Sequence, residues 1–230
     1  MTYNEIKSRI VFEDNHLLIF NKPAGLLVQE DETGDPCILD VVKDFIKERD
    51  AKPGNVFLGL IHRIDRPVSG LVVLAKTGKC LERMTEAFKE RKVKKIYHAL
   101  VHGIPNPETG TLLHYHIKDG KRKIAVLSEK AKPGSKPAIL QYKVLKTNNH
   151  ISLLELRLQT GRFHQIRAQM LKNKTPIVGD LKYGAKQPNP DKSVCLHAFE
   201  IEFEHPTKET IVKAKAPYPK ELQIWRTHTG

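Results

Sequence analysis

The amino-acid sequence predicts an α+β fold, a mixed and largely antiparallel central sheet flanked by helices and loops, from three observations. Apolar runs of strand length recur along the chain, two segments switch to helical spacing, and the stretch from Thr111 to His150 alternates β-runs with turn residues. No internal repeat, low-complexity block or long linker interrupts residues 1–230, so a single domain is expected.

The opening segment IVFEDNHLLIFNKPAGLLV reads as two apolar β-runs joined near Asp14 and Asn15, a hairpin closed by Pro23 and Gly25. Ile38, Val41, Val42, Phe45 and Ile46 then recur at helical spacing, with Asp35 as the expected N-cap and Pro36 at the first helical position. The run VFLGLI, the charged island HRIDR and the near-continuous apolar run GLVVLA follow, the last suited to a buried strand. Leu81, Met84 and Phe88 mark a second amphipathic helix, and KKIYHALVHG a further strand.

Between Thr111 and His150, with turns at Lys118-Asp119-Gly120 and Asn148-Asn149, an antiparallel meander is the economical reading. ISLLELRLQ is strand-like, and TGRFHQIRAQMLKN changes period from two to about four, a strand entering a helix through a Thr-Gly turn. Turn chemistry at VGDLKYGAKQPNP, strands at CLHAFEIEF and IVKAKA, and a short helix near Trp225 complete the chain.

Composition narrows the function. A formal charge of +13 and a pI near 9.6 favour a polyanionic partner, because clustered Lys and Arg release counterions from phosphates. Nucleic acid leads over an acidic membrane surface. No stretch reaches the roughly 20 apolar residues of a membrane span, and MTYNEIKSRI lacks a signal-peptide core, so a cytoplasmic location is expected. Cys37, Cys80 and Cys195 are scattered and odd in number, which suggests reduced core residues and not a disulfide or zinc framework.

Two constellations carry chemistry. In His62-Arg63-Ile64-Asp65-Arg66 two arginines flank one carboxylate and favour its ionised form, ready as nucleophile or base, while apolar sequence on both sides draws the island inward. A solvated charged turn is the bland alternative. In Thr160-Gly161-Arg162-Phe163-His164-Gln165-Ile166-Arg167 a helix would set Phe163, Arg167 and Met170 on one face with Ile166 alongside. A guanidinium in that apolar stripe needs a partner, for which Asp65 is a candidate, unless Arg167 snorkels to the rim.

His114 and His116 share one side of a strand, but a metal site needs further ligands, so no metal is expected. No hydrolase triad or phosphate-binding Gly-rich loop appears, and no cofactor is implied.

These segments resemble a known family. HRIDRPVSGLVVLAK is similar to the active-site motif of the RluA-type RNA pseudouridine synthases, KKIYHALVHG to their tyrosine-bearing strand and TGRFHQIRAQM to their arginine-bearing segment. The similarity runs from IVFEDNHLLIFNKPAGLLV to KAPYPKEL, starting near Ile10, so the S4-like RNA-binding domain some members carry is not expected.

The resemblance implies the pseudouridine synthase fold and isomerisation of uridine in ribosomal or transfer RNA. It makes Asp65 the catalytic aspartate, Tyr97 the aromatic residue against the target base, and Arg167 the cation paired with the aspartate. Arg63 would help hold the nucleotide out of its helix, and Ile166 would wall the uracil pocket. RNA is the implied partner, its selection expected to depend on the catalytic domain and on basic insertions such as the Lys118 to Lys136 region, and the protein is expected to be a monomer. A catalytically silent RNA-binding protein and a metal-dependent RNA hydrolase are the rival readings; the first leaves Asp65, Tyr97 and Arg167 unexplained and the second lacks a ligand pattern.

Overall fold

A computed structural model describes residues 1–229, in which the chain divides into two compact units: Met1–Lys94 with Ala198–Pro217, and Lys95–His197 with Tyr218 onward. The fold class agrees with the sequence, a largely antiparallel sheet structure flanked by helices.

In the first unit α1 (Tyr3–Ser8) leads into β1 (Ile10–Glu13) and β2 (Leu17–Lys22), the expected antiparallel hairpin. The short α1 adds to the elements that periodicity predicts. It is set by a capping box in which Thr2 accepts from the Glu5 amide and Glu5 accepts from the Thr2 amide. Helix α2 (Ile38–Arg49) has Cys37 at its N-cap position, not Asp35. The chain is still extended at Cys37, which bridges Leu27, and Asp40 accepts from the Cys37 amide at 3.1 Å. Asp35 instead pairs with Arg66 at 2.6 Å.

The strands β3 (Gly59–Leu60) and β4 (Ser69–Ala75) and helix α3 (Gly78–Lys89) follow, the helix capped by Thr77. β4 lies between β2 and β10 (Leu196–Glu204), and β11 (Ile211–Lys215) pairs antiparallel with β10. Every residue of β2 and β4 is buried, which explains the apolar runs at 17–20 and 71–75. On one face Leu17, Ile19, Leu71 and Val73 join Cys80 and Met84 of α3 and Ile201, Phe203 and Val212 in one core. Gly70, with φ +112°, is required here: a β-carbon would fall 2.4 Å from the carbonyl oxygen of Ala198.

The second unit is built on β5 (Lys94–His102), β6 (Thr109–Asp119), β7 (Ile124–Ser128), β8 (Lys136–Asn148) and β9 (Ile151–Leu158). Their spatial order is β5-β9-β8-β6-β7, all antiparallel. The expected meander is therefore interrupted. β8 passes β7 and pairs with β6, so the β6–β7 hairpin carries the edge strand. Helix α4 (Gln165–Lys172), a 3₁₀ turn at Leu181–Tyr183 and α5 (Gln223–Thr229) complete the unit.

All three cysteines are buried and free. Among the described residues no helix is long and apolar enough to cross a membrane.

Candidate active site

The Asp65 segment is an irregular loop between β3 and β4, and its backbone is fixed from beneath by a buried lysine. Lys22, the last residue of β2, is fully buried, and its Nζ donates to the carbonyl oxygens of Pro23 and Leu26, each at 2.9 Å, and of Arg66 at 3.1 Å. An ammonium has three protons and here finds three acceptors. Burial pushes the Lys22 pKa down to about 7, while the Asp65 carboxylate pulls it up and Arg66 pushes it further down.

The same Arg66 carbonyl accepts from the Gly25 amide at 2.8 Å, and Arg66 Nε returns a bond to the Gly25 carbonyl at 3.0 Å. The NKPAG turn and the Asp65 loop are thus one hydrogen-bonded body. Val68 N–H closes the loop on the Asp65 carbonyl at 3.0 Å.

Neighbouring residues set the loop's orientation. His62 Nε2 accepts from the Val73 amide at 3.0 Å, which leaves Nδ1 to carry the proton, and its ring stacks on Phe88 with centroids 4.6 Å apart. Ile64 is buried, Asp65 half-buried and Arg63 exposed. The sequence expectation of an island drawn inward therefore holds for Ile64 and in part for Asp65.

In the second unit Tyr97 stands half-buried on β5, opposite Leu156 of β9. Arg167 and Ile166 sit side by side on α4, both 5% exposed, so Arg167 does not snorkel. Its guanidinium grips Asp180 at two points, Nε to Oδ2 at 2.7 Å and Nη2 to Oδ1 at 2.8 Å, and lies 5.1 Å from the Tyr183 ring centroid. No motif in the sequence singles out Asp180. Its one signal is the turn VGDLKYG, whose Gly179 has φ +82° and whose added β-carbon would strike Asn189 and the Ser193 carbonyl.

α4 opens on His164 in the left-handed region, φ 50° and ψ 26°, so Phe163 lies outside the helix and not on its face. Gln165 and Gln169 bolt α4 to the sheet. Gln165 Oε1 accepts from Thr160 Oγ1 at 2.8 Å and its Nε2 donates to the Ile139 carbonyl at 3.1 Å, while Gln169 Nε2 reaches the Leu112 carbonyl and His114 Nδ1 at 3.1 Å each. His116 Nε2 meets the Phe163 carbonyl at 2.9 Å. The two imidazoles that alternate along β6 thus serve the α4 segment, and burial lowers the His114 pKa, with Lys172 adding to the effect.

This loop-borne carboxylate and this clamped arginine lie within segments that match known proteins. Residues 16–172 match a sequence model of the RNA pseudouridylate synthases. "Ribosomal large subunit pseudouridine synthase C" of Buchnera aphidicola subsp. Acyrthosiphon pisum is 35% identical over 94% of this chain and 69% of that protein. Its namesake in Buchnera aphidicola subsp. Schizaphis graminum is 37% identical over 86% of this chain and 63% of its own length. This chain therefore spans about two thirds of the length of these relatives.

Among solved structures, human RNA pseudouridylate synthase domain containing 4 covers 95% of this chain and 92% of itself, at 26% identity and a TM-score of 0.78. The chain belongs to the RNA pseudouridylate synthase family, whose members isomerise uridine within RNA. It is accordingly an isomerase that binds RNA.

Proposed function

We propose that this protein converts specific uridines of large-subunit ribosomal RNA to pseudouridine, acting as a cytoplasmic monomer without a cofactor. Support for the substrate comes from relatives named for that RNA; transfer RNA is the alternative. Asp65 is the catalytic carboxylate, Arg167 its partner cation, Tyr97 the ring that keeps the detached base stacked, Ile166 an apolar wall, and Arg63 a holder of the displaced nucleotide.

The observation that carries this reading is the investment around two charges. The backbone of the Asp65 loop is anchored by three bonds from buried Lys22, and Arg167 is held at two points by a buried carboxylate. Preorganised groups of this kind cost little reorganisation when the reaction occurs.

The chemistry needs no more. The bond from uracil N1 to ribose C1′ breaks, the base turns, and C5 bonds to C1′ as its hydrogen leaves and N1 gains one, so nothing is oxidised or added. Asp65 either attacks the sugar covalently or removes a ribose proton. The base first leaves its stack, as for other enzymes acting on nucleobases. Seven cations against two carboxylates between Lys118 and Lys136 supply phosphate contacts along the β6–β7 hairpin and the loop after it.

Pseudouridine mapping in ribosomal and transfer RNA of a strain lacking the gene tests the proposal. A missing large-subunit site restored by the wild-type gene but not by Asp65→Asn is expected; loss confined to transfer RNA would replace the substrate assignment.

A further inference from the structure

Tyr183 occupies a position that the reaction itself does not explain. It is 3% exposed and packs with Ala125 of β7 and Ala168 of α4, with Ile124 and Leu127 around them. Its hydroxyl oxygen accepts from the Ala125 amide at 2.7 Å, and the same hydroxyl shares a hydrogen bond with His164 Nδ1 at 2.9 Å. Its ring lies beneath the Arg167 guanidinium at 5.1 Å. Its own amide donates to the carbonyl of Asp180, the residue whose carboxylate grips Arg167, at 3.0 Å.

One side chain therefore touches three things: the edge strand of the basic hairpin, the left-handed residue that opens α4, and the buried arginine. Ala125 pairs with Lys118 across the hairpin, so the hydroxyl latch acts on the strand pair that carries the cations. The aromatic face has a separate task. A desolvated guanidinium whose carboxylate partner fixes one edge still needs its plane defined, and a ring beneath it does this.

We propose that Tyr183 is a positioning residue that couples the β6–β7 hairpin to Arg167, its hydroxyl fixing the RNA-gripping hairpin and its ring fixing the guanidinium. This inference rests on the functional roles proposed above for Arg167 and the hairpin. It assigns separable effects to two parts of one side chain.

Tyr183→Phe keeps the ring and deletes the latch; Tyr183→Met fills similar space and deletes both. Steady-state pseudouridine formation on ribosomal RNA fragments, with protein concentration corrected for folded fraction by near-ultraviolet circular dichroism, reads the two parts. For Tyr183→Phe we expect KM for RNA raised about three- to tenfold with kcat within about twofold of wild type. For Tyr183→Met we expect the same rise in KM and a loss of kcat of about tenfold.

A scaffold role alone would lower the folded fraction without this split. Unchanged KM in Tyr183→Phe, or identical kcat in the Phe and Met variants, overturns the proposal, and the Phe variant decides the latch even if the Met variant does not fold. Asp65→Asn and Arg167→Met run alongside. If those two are active the assignment of the site fails, whereas if they are inactive and the Tyr183 variants behave as wild type, only the coupling fails.

Discussion

Arg167 and Asp180, thirteen residues apart, form a two-point ion pair in which the arginine side chain is 6% and the aspartate side chain 0% exposed. A pair so placed is costly to halve and less costly to replace whole. Arg167→Met leaves an unpaired buried carboxylate and should lose about 3 to 5 kcal/mol of stability. The double variant Arg167→Met/Asp180→Leu buries no charge and should recover most of that loss, yet form no pseudouridine. Urea unfolding beside a product assay checks both statements; activity in the refolded double variant would remove Arg167 from the reaction.

This pair also shows what the sequence could and could not say. The helical spacing around Arg167 makes a buried guanidinium legible, together with its need for a counter-charge, but not the identity of that charge. Asp180 becomes a neighbour only because Gly179 turns the chain and the Asp180 carbonyl gathers the amides of Tyr183 and Ala185. Hairpin β1–β2, the buried run of β4 and helix α3 are readable because periodicity and burial agree there. The position of β8 beside β6 is not, since alternation marks strands without stating which edge a strand joins. The Asp35 cap fails for a similar reason: the bridge from Leu27 keeps Cys37 extended, so the helix starts two residues late.

Lys22 makes stability depend on pH in a direction unusual for a lysine. Burial depresses its pKa to about 7 from 10.5, so between those values the unfolded chain holds a proton the native state lacks. The penalty for the buried ammonium is thus fully present below pH 7 and relieved as pH rises towards 10.5. The stability of the wild type minus that of Lys22→Met should increase from about pH 7 to about pH 10, by about 1 to 3 kcal/mol once the three carbonyl partners are allowed for. A difference that is flat or falls over this range would mean the ammonium is satisfied as it stands.

The basic hairpin should act through its attraction for phosphates. Replacing exposed Lys118, Lys121, Arg122 and Lys123 by Gln should weaken RNA binding and flatten its salt dependence, the log-log slope falling by about 0.7 for each phosphate no longer neutralised on single-stranded RNA. Filter binding across a salt series measures this, and a slope equal to wild type would place the RNA elsewhere.

The role proposed for Tyr97, packing on the target base, can be divided between ring and hydroxyl as for Tyr183. Tyr97→Phe should keep most activity if stacking is its role, whereas Tyr97→Leu should lose it. An inactive, folded Tyr97→Phe would assign a proton transfer to the hydroxyl.

Asp65 bears the strongest prediction because no other carboxylate is proposed to react. Asp65→Asn preserves shape and leaves the bonds from Lys22 to the backbone of Pro23, Leu26 and Arg66 in place, so the loop should stay folded. It removes the charge and with it most of the nucleophilicity and basicity, and pseudouridine formation should fall below detection. RNA binding should survive and tighten slightly, since a negative charge near phosphates is gone. Release of tritium from RNA labelled at uracil C5 reports the reaction directly, because that hydrogen departs when C5 bonds to the sugar. Filter binding on the same preparations separates lost chemistry from lost affinity. Wild-type release by folded Asp65→Asn would remove Asp65 from the mechanism, whereas lost release together with lost binding would make its role one of RNA positioning.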